Sequence, residues 1–303
     1  MTQATVNGIQ IEYDTIGKSS SRPLLLIMGL GCQLICWDDS FCSKLAEKGF
    51  YVIRFDNRDT GLSTKFDAAG KPDLMGAFTA ILKGRKIKPA YSLDDMADDA
   101  IGLLDELNIG CAHICGISMG AAIAQAMAIR NPSRLISMTL VYGTTGSSKL
   151  PPPKPEALNF FITPPPETRE AFIAHFVKGS RILAGPGYEF DEPWHQDMAA
   201  RSYDRSFYPQ GAARQILAVL AHGSRKRALA SVPTPTLVIH GTDDPISPVE
   251  GGKDIAAAIQ GSELMIIPGM GHDLPAGGAW NHIIEKMDEF TKKAGNTGIK
   301  QPV

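Results

Sequence analysis

Ala112-His-Ile-Cys-Gly-Ile-Ser-Met-Gly-Ala-Ala-Ile123 decides how the rest of this 303-residue chain is read. An apolar run, Ala112 to Cys115, ends in Gly116-Ile117-Ser118-Met119-Gly120, and small residues then continue as a helix to about Arg130. A buried strand that passes into a helix through a glycine-flanked turn lifts one serine at the carboxyl edge of a sheet. The glycines permit the tight turn, and Ala121 and Ala122 let the helix lie close against the strands. Five residues of this composition arise by chance too easily to carry the reading alone. The strand before and the helix after give them weight.

Working outward, Val6-Asn7-Gly8-Ile9 carries the Asn-Gly signal of a hairpin. An apolar run Leu24 to Met28, a helix from Asp38 to Lys48 ended by Gly49, and a run Tyr51 to Phe55 follow. Ser92, with Asp95 three residues on, starts a helix to Leu107. Downstream lie the runs Ile136 to Tyr142 and Thr236 to His240, a helix to Gln260 closed by Gly261, and the run Leu264 to Ile267. A last helix, Trp280 to Lys293, puts Trp280, Ile283, Ile284, Met287 and Phe290 on one face. Apolar runs that do not alternate, separated by helices, imply a mostly parallel sheet covered on both faces. From Gly143 to about Ala230 the pattern breaks at Pro151-Pro-Pro-Lys-Pro and Pro164-Pro-Pro, and aromatic residues gather. We therefore expect an α/β fold: a doubly wound core over 1–146 and 231–303, interrupted by a mainly helical insertion, 147–230, that caps it.

Thirty Lys plus Arg against 32 Asp plus Glu leave a net charge of −2, which excludes a globally basic nucleic-acid binder. The longest apolar runs are strand-sized, so no membrane span is expected. The first residues lack a basic segment leading into an apolar one, so no secretory signal is expected. Five cysteines (Cys32, Cys36, Cys42, Cys111 and Cys115) form no C-x-x-C pair, which favours free thiols in a reduced, cytoplasmic compartment. Zinc-ligand spacings are missing, and neither a metal nor an organic cofactor is expected. The sequence carries no signal of oligomeric state.

A serine hydroxyl needs a base to become a nucleophile, and the base needs an acid to orient it. Among seven histidines, His272 stands out, because Gly269-Met270-Gly271-His272 follows an apolar strand and precedes the last helix. That places it at the same sheet edge as Ser118. His113 lies inside a strand, His175, His195 and His222 in the insertion, and His282 on the last helix. For the acid, Gly241-Thr-Asp-Asp-Pro-Ile246 offers Asp243 and Asp244, and Asp244 is preferred because Pro245 holds it extended. Met28-Gly29-Leu30-Gly31 follows the first buried strand, and its glycines allow a backbone N–H to face the serine. The Leu30 and Met119 amides are the expected donors to a developing oxyanion.

These stretches resemble the serine hydrolases of the α/β-hydrolase superfamily and, within it, the aclacinomycin methylesterases. The resemblance rests on Leu25-Leu-Ile-Met-Gly, Val52-Ile-Arg-Phe-Asp-Asn-Arg-Asp-Thr-Gly-Leu-Ser63, Gly116-Ile-Ser-Met-Gly-Ala121, Thr234-Pro-Thr-Leu-Val-Ile, Asp244-Pro-Ile and Ile267-Pro-Gly-Met-Gly-His-Asp-Leu-Pro275. It implies Ser118, Asp244 and His272 as nucleophile, acid and base, with the Leu30 and Met119 amides at the oxyanion. It also implies hydrolysis of a small carboxylic ester, methyl or short-to-medium chain, through an acyl-enzyme. The same three residues serve perhydrolysis, lactone opening and carbon–carbon bond hydrolysis, and a non-catalytic binding protein is the alternative from another class. Relatives that act as dehalogenases or epoxide hydrolases carry an Asp where Ser118 stands. Met28-Gly29 and Arg58-Asp59 depart from the superfamily's common His-Gly and Arg-Gly pairs, and Asp56, Arg58 and Asp59 read as ion-paired braces. Trp37 and the aromatics of the insertion read as an apolar pocket for the acyl or alcohol group.

Overall fold

A computed structural model of the chain describes residues 2–296. The Asn7-Gly8 pair, at φ 51° and 79°, folds β1 (Thr2–Val6) back antiparallel on β2 (Ile9–Ile16). Six further strands complete one sheet: β3 (Arg22–Ile27), β4 (Phe50–Phe55), β5 (Ala112–Ile117), β6 (Leu135–Val141), β7 (Thr236–Gly241) and β8 (Glu263–Ile267). Their order is β1-β2-β4-β3-β5-β6-β7-β8, parallel from β4 onward. The sheet is the doubly wound, mostly parallel one expected. All six residues of β5 are buried, which is why its sequence does not alternate.

Helices cover both faces. On one side Leu25, Ile27, Ile53 and Phe55 pack with α3 (Leu93–Glu106) and α4 (Met119–Arg130). On the other, Leu24, Leu26 and Val52 pack with Phe41 and Leu45 of one helix, Asp39–Glu47, and Ile283, Ile284 and Met287 of another, Ala279–Asn296. In chain order these last two are α1 and α11. The Ser92 hydroxyl accepts from the Asp95 amide at 3.1 Å, and the Asp95 carboxylate accepts from the Ser92 amide at 2.7 Å, so α3 begins with a reciprocal cap. Ten successive residues of α4, Met119 to Ala128, are buried. Only a helix of small side chains fits between a sheet and its neighbours so closely.

A helix that the sequence did not announce, α2 (Leu74–Leu82), lies before α3. Met75 and Leu82 are 73% and 88% exposed, so its apolar residues do not form the inward stripe by which helices are read. Five helices join β6 to β7: α5 (Pro155–Ile162), α6 (Arg169–Leu183), α7 (Glu192–Arg205), α8 (Pro209–His222) and α9 (Lys226–Leu229). Prolines sit in the first turns of α5, α7 and α8, where a missing N–H costs nothing. The remaining helix, α10 (Glu250–Ala258), connects β7 to β8. Among the described residues no helix is long and apolar enough to cross a membrane.

Candidate active site

Ser118 stands where β5 ends and α4 begins, in a left-handed conformation with φ 53° and ψ −116°. Such a backbone is strained for a non-glycine residue and persists only where its surroundings enforce it. They do so through close packing. A Cβ on Gly116 would lie 2.2 Å from the Gly120 oxygen, and one on Gly120 would lie 2.1 Å from the Ile27 oxygen. The Ser118 amide donates to the Val141 oxygen at 3.0 Å, which holds the turn to the next strand.

His272 meets Ser118 from the loop after β8. Its Nδ1–H donates to Asp244 Oδ2 at 2.7 Å, leaving Nε2 to accept the Ser118 hydroxyl at 2.9 Å. That pairing selects the tautomer a base requires. The imidazole is held from the insertion side as well, because the His272 amide donates to the Leu183 oxygen of α6 at 2.8 Å. Tyr142, at the end of β6, lies against the ring with centroids 4.3 Å apart.

Asp244 is buried at the carboxyl end of β7. Burial alone would raise its carboxyl group, but His272, His240 and the Ser247 amide together hold it well below the usual carboxylate range. Its Oδ1 accepts from the Ile246 and Ser247 amides at 2.9 and 2.7 Å. Asp243, the other sequence candidate, accepts from its neighbour Thr242 at 2.6 Å and takes no part in this line.

The Met28–Gly31 loop runs beside Ser118, so closely that a Cβ on Gly29 would lie 3.3 Å from the Ser118 Cβ. Asn57 Nδ2 donates to the Met28 oxygen at 3.1 Å, and the Gly31 amide donates to Gln215 Oε1 at 2.8 Å. Leu30 lies between these two ties. Met119 opens α4, where first-turn amides lack intrahelical acceptors and the helix end favours negative charge.

A cavity of about 740 Å³ opens beside Ile117 and His272. Phe160, Phe161, Phe172, Phe176, Trp194 and Phe207 of the insertion form much of its wall, and Trp37 closes it from the core side. The volume is that of a site for a drug-sized molecule, roughly 300–1,000 Å³. His175 and His195 reach the same wall, whereas His113 is buried in β5 with Nδ1 2.8 Å from Ser137 Oγ, and burial pushes it down to about 4.

Four residues here were not picked out from the sequence: His240, Gln215, Tyr142 and Asp273. His240 Nε2 donates to the Ser247 oxygen at 2.6 Å and lies 3.5 Å from Asp244 Oδ2. Its position at a strand end four residues before Asp244 is a usable signal. Gln215 sits in the middle of α8 and carries none.

Sheet, elbow and loops together define a class, the α/β hydrolases. The chain belongs to the alpha/beta hydrolase family, whose profile matches residues 26–280. It is 30% identical over 292 residues to rhodomycin D methylesterase DauP of Streptomyces sp. strain C5, covering 89% of this chain and 91% of that protein. To the 2-hydroxy-6-oxononadienedioate/2-hydroxy-6-oxononatrienedioate hydrolase of Cupriavidus pinatubonensis it is 31% identical over 176 residues, 56% of this chain and 59% of that one. A thermophilic esterase from Thermogutta terrifontis matches in structure with a TM-score of 0.71 at 23% identity, over 97% of this chain and 98% of that chain. That last likeness speaks for the fold alone. The methylesterase relative agrees with the resemblance read from the sequence motifs.

Proposed function

We propose that Ser118, His272 and Asp244 form a catalytic triad and that the chain is a carboxylic-ester hydrolase acting through an acyl-enzyme. The observation that carries this reading is the continuous line from Ser118 Oγ to His272 Nε2, 2.9 Å, and from His272 Nδ1 to Asp244 Oδ2, 2.7 Å. Ser118 Oγ attacks the ester carbonyl as His272 Nε2 takes its proton, and Asp244 stabilises the imidazolium. The Leu30 and Met119 amides stabilise the charge that gathers on the carbonyl oxygen. His272 then protonates the leaving alcohol. Water, deprotonated by the same nitrogen, releases the acid and restores the serine.

Residues 147–230 act as a cap that walls the carboxyl edge, and Trp37 contacts the substrate from below. The family and the similarity to DauP support a small-molecule methyl ester as substrate class. The five free thiols support a reduced compartment such as the cytoplasm. The test is hydrolysis of aryl methyl esters and of p-nitrophenyl esters of graded acyl length. Ser118→Ala should lower kcat by about 10⁴ or more, as removal of a nucleophile does elsewhere. A wild-type protein inert across both series contradicts the reading.

A further inference from the structure

The cavity wall carries carboxylates from Asp38, Asp59, Glu189, Asp191 and Asp273 and, among the described residues, no lysine or arginine. Three of the five are already engaged. Asp59 pairs with the buried Arg214 at 2.8 Å, Asp38 accepts from the Ser40 amide at 2.7 Å and from Trp194 Nε1 at 2.8 Å, and Asp191 caps α7 through the Trp194 amide at 3.0 Å. Asp273 differs. It follows His272 directly, and its Oδ1 is buried without a hydrogen-bond partner among the described residues. Burial outweighs the Gly271 amide and the neighbouring His272 and pushes its carboxyl group up to about 6, so it carries charge at neutral pH at a cost.

Resting on the esterase reading, we infer that this cavity discriminates against esters carrying a carboxylate and that Asp273 contributes to that discrimination. An anion entering this cavity would lose its hydration, find no lysine or arginine among its described lining, and meet the charge of Asp273 beside His272. Rejection by an unfavourable charge is how a site separates ligands of equal size. The same field acts on the product, because hydrolysis creates a carboxylate inside a wall that does not hold anions.

Methyl 4-carbamoylbenzoate and monomethyl terephthalate match in ring and size and differ by one charge, so they form the test pair. On the wild-type enzyme, kcat/KM for the carbamoyl ester should exceed that for the carboxylate ester by about tenfold or more. Asp273→Asn should narrow the ratio, chiefly by lowering KM for the carboxylate ester. Because ring substituents also alter ester reactivity, binding of both esters to Ser118→Ala by calorimetry should show the same order. Equal binding and equal kcat/KM on the parent protein overturn the inference, as does a ratio that Asp273→Asn leaves unchanged. Failure of the esterase reading looks different: neither ester is cleaved by wild type, while the binding order to Ser118→Ala still reports on charge.

Discussion

At residue scale the site turns on which carboxylate faces His272. The two adjacent aspartates differ in environment rather than chemistry: Asp244 is buried and accepts two amides and an imidazole N–H, while Asp243 faces Thr242. Asp244→Asn should therefore reduce kcat by about 10³–10⁴, by favouring the wrong imidazole tautomer, and Asp243→Asn should change it by less than about threefold. Steady-state kinetics on the two variants check this, and equal losses contradict it. The pH dependence follows from the same groups. Asp244 is held below the usual carboxylate range, so it stays ionised throughout the neutral and mildly acid interval. Only a neutral imidazole can take the Ser118 proton, so kcat/KM should fall as the medium is acidified. Asp273, pushed up to about 6, gains its charge in the mildly acid interval next to the imidazole, so Asp273→Asn should alter the profile there. A profile flat between about pH 5 and 8 would point to another base.

At the scale of elements, the loop after β4 shows how far local sequence reaches. Asp56, Arg58 and Asp59 do act as braces, but they do not pair with one another. Asp56 takes Arg205 of α7 at 2.7 Å, Arg58 takes Asp99 of α3 at 2.6 Å, and Asp59 takes Arg214 of α8 at 2.8 Å. The loop is thus a three-way fastening, to α3 within the core and to two of the helices between β6 and β7. Side chains of Asp59 and Arg214 are 0% and 2% exposed. Asp59→Ala leaves the buried Arg214 guanidinium without a carboxylate, with only the neutral Gly70 oxygen and Tyr208 hydroxyl as acceptors, and should cost about 3 kcal/mol of stability. Urea unfolding measures it, and a loss under about 1 kcal/mol would mean that solvent reaches Arg214. The helices and strands that position Ser118, Asp244 and His272 were legible because each has a signal within a few residues: the Gly-x-Ser-x-Gly turn, Asp before Pro245, the glycines before His272. Helix α2 was not, since its exposed Met75 and Leu82 break the amphipathic period.

At the scale of the whole molecule, what escaped the sequence is what long-range packing decides. Gln215 fixes the Gly31 amide across 184 positions, and the His272 loop is buttressed by Leu183 from the end of α6. No local pattern announces either contact. The aromatic content of the insertion was visible, but only the fold separates the rings that face the cavity from those that pack elsewhere. The sheet, by contrast, was recoverable in outline, because buried parallel strands and their covering helices each leave a periodicity of their own.

The account depends on Ser118 Oγ being the atom that becomes acylated. Intact-mass analysis after incubation with an aryl organophosphonate, followed by peptide mapping, tests this directly. One adduct per chain, located on Ser118 and missing from Ser118→Ala, is the expected result. An adduct of undiminished yield on Ser118→Ala, or a wild-type enzyme that hydrolyses esters yet never takes the label, would contradict it.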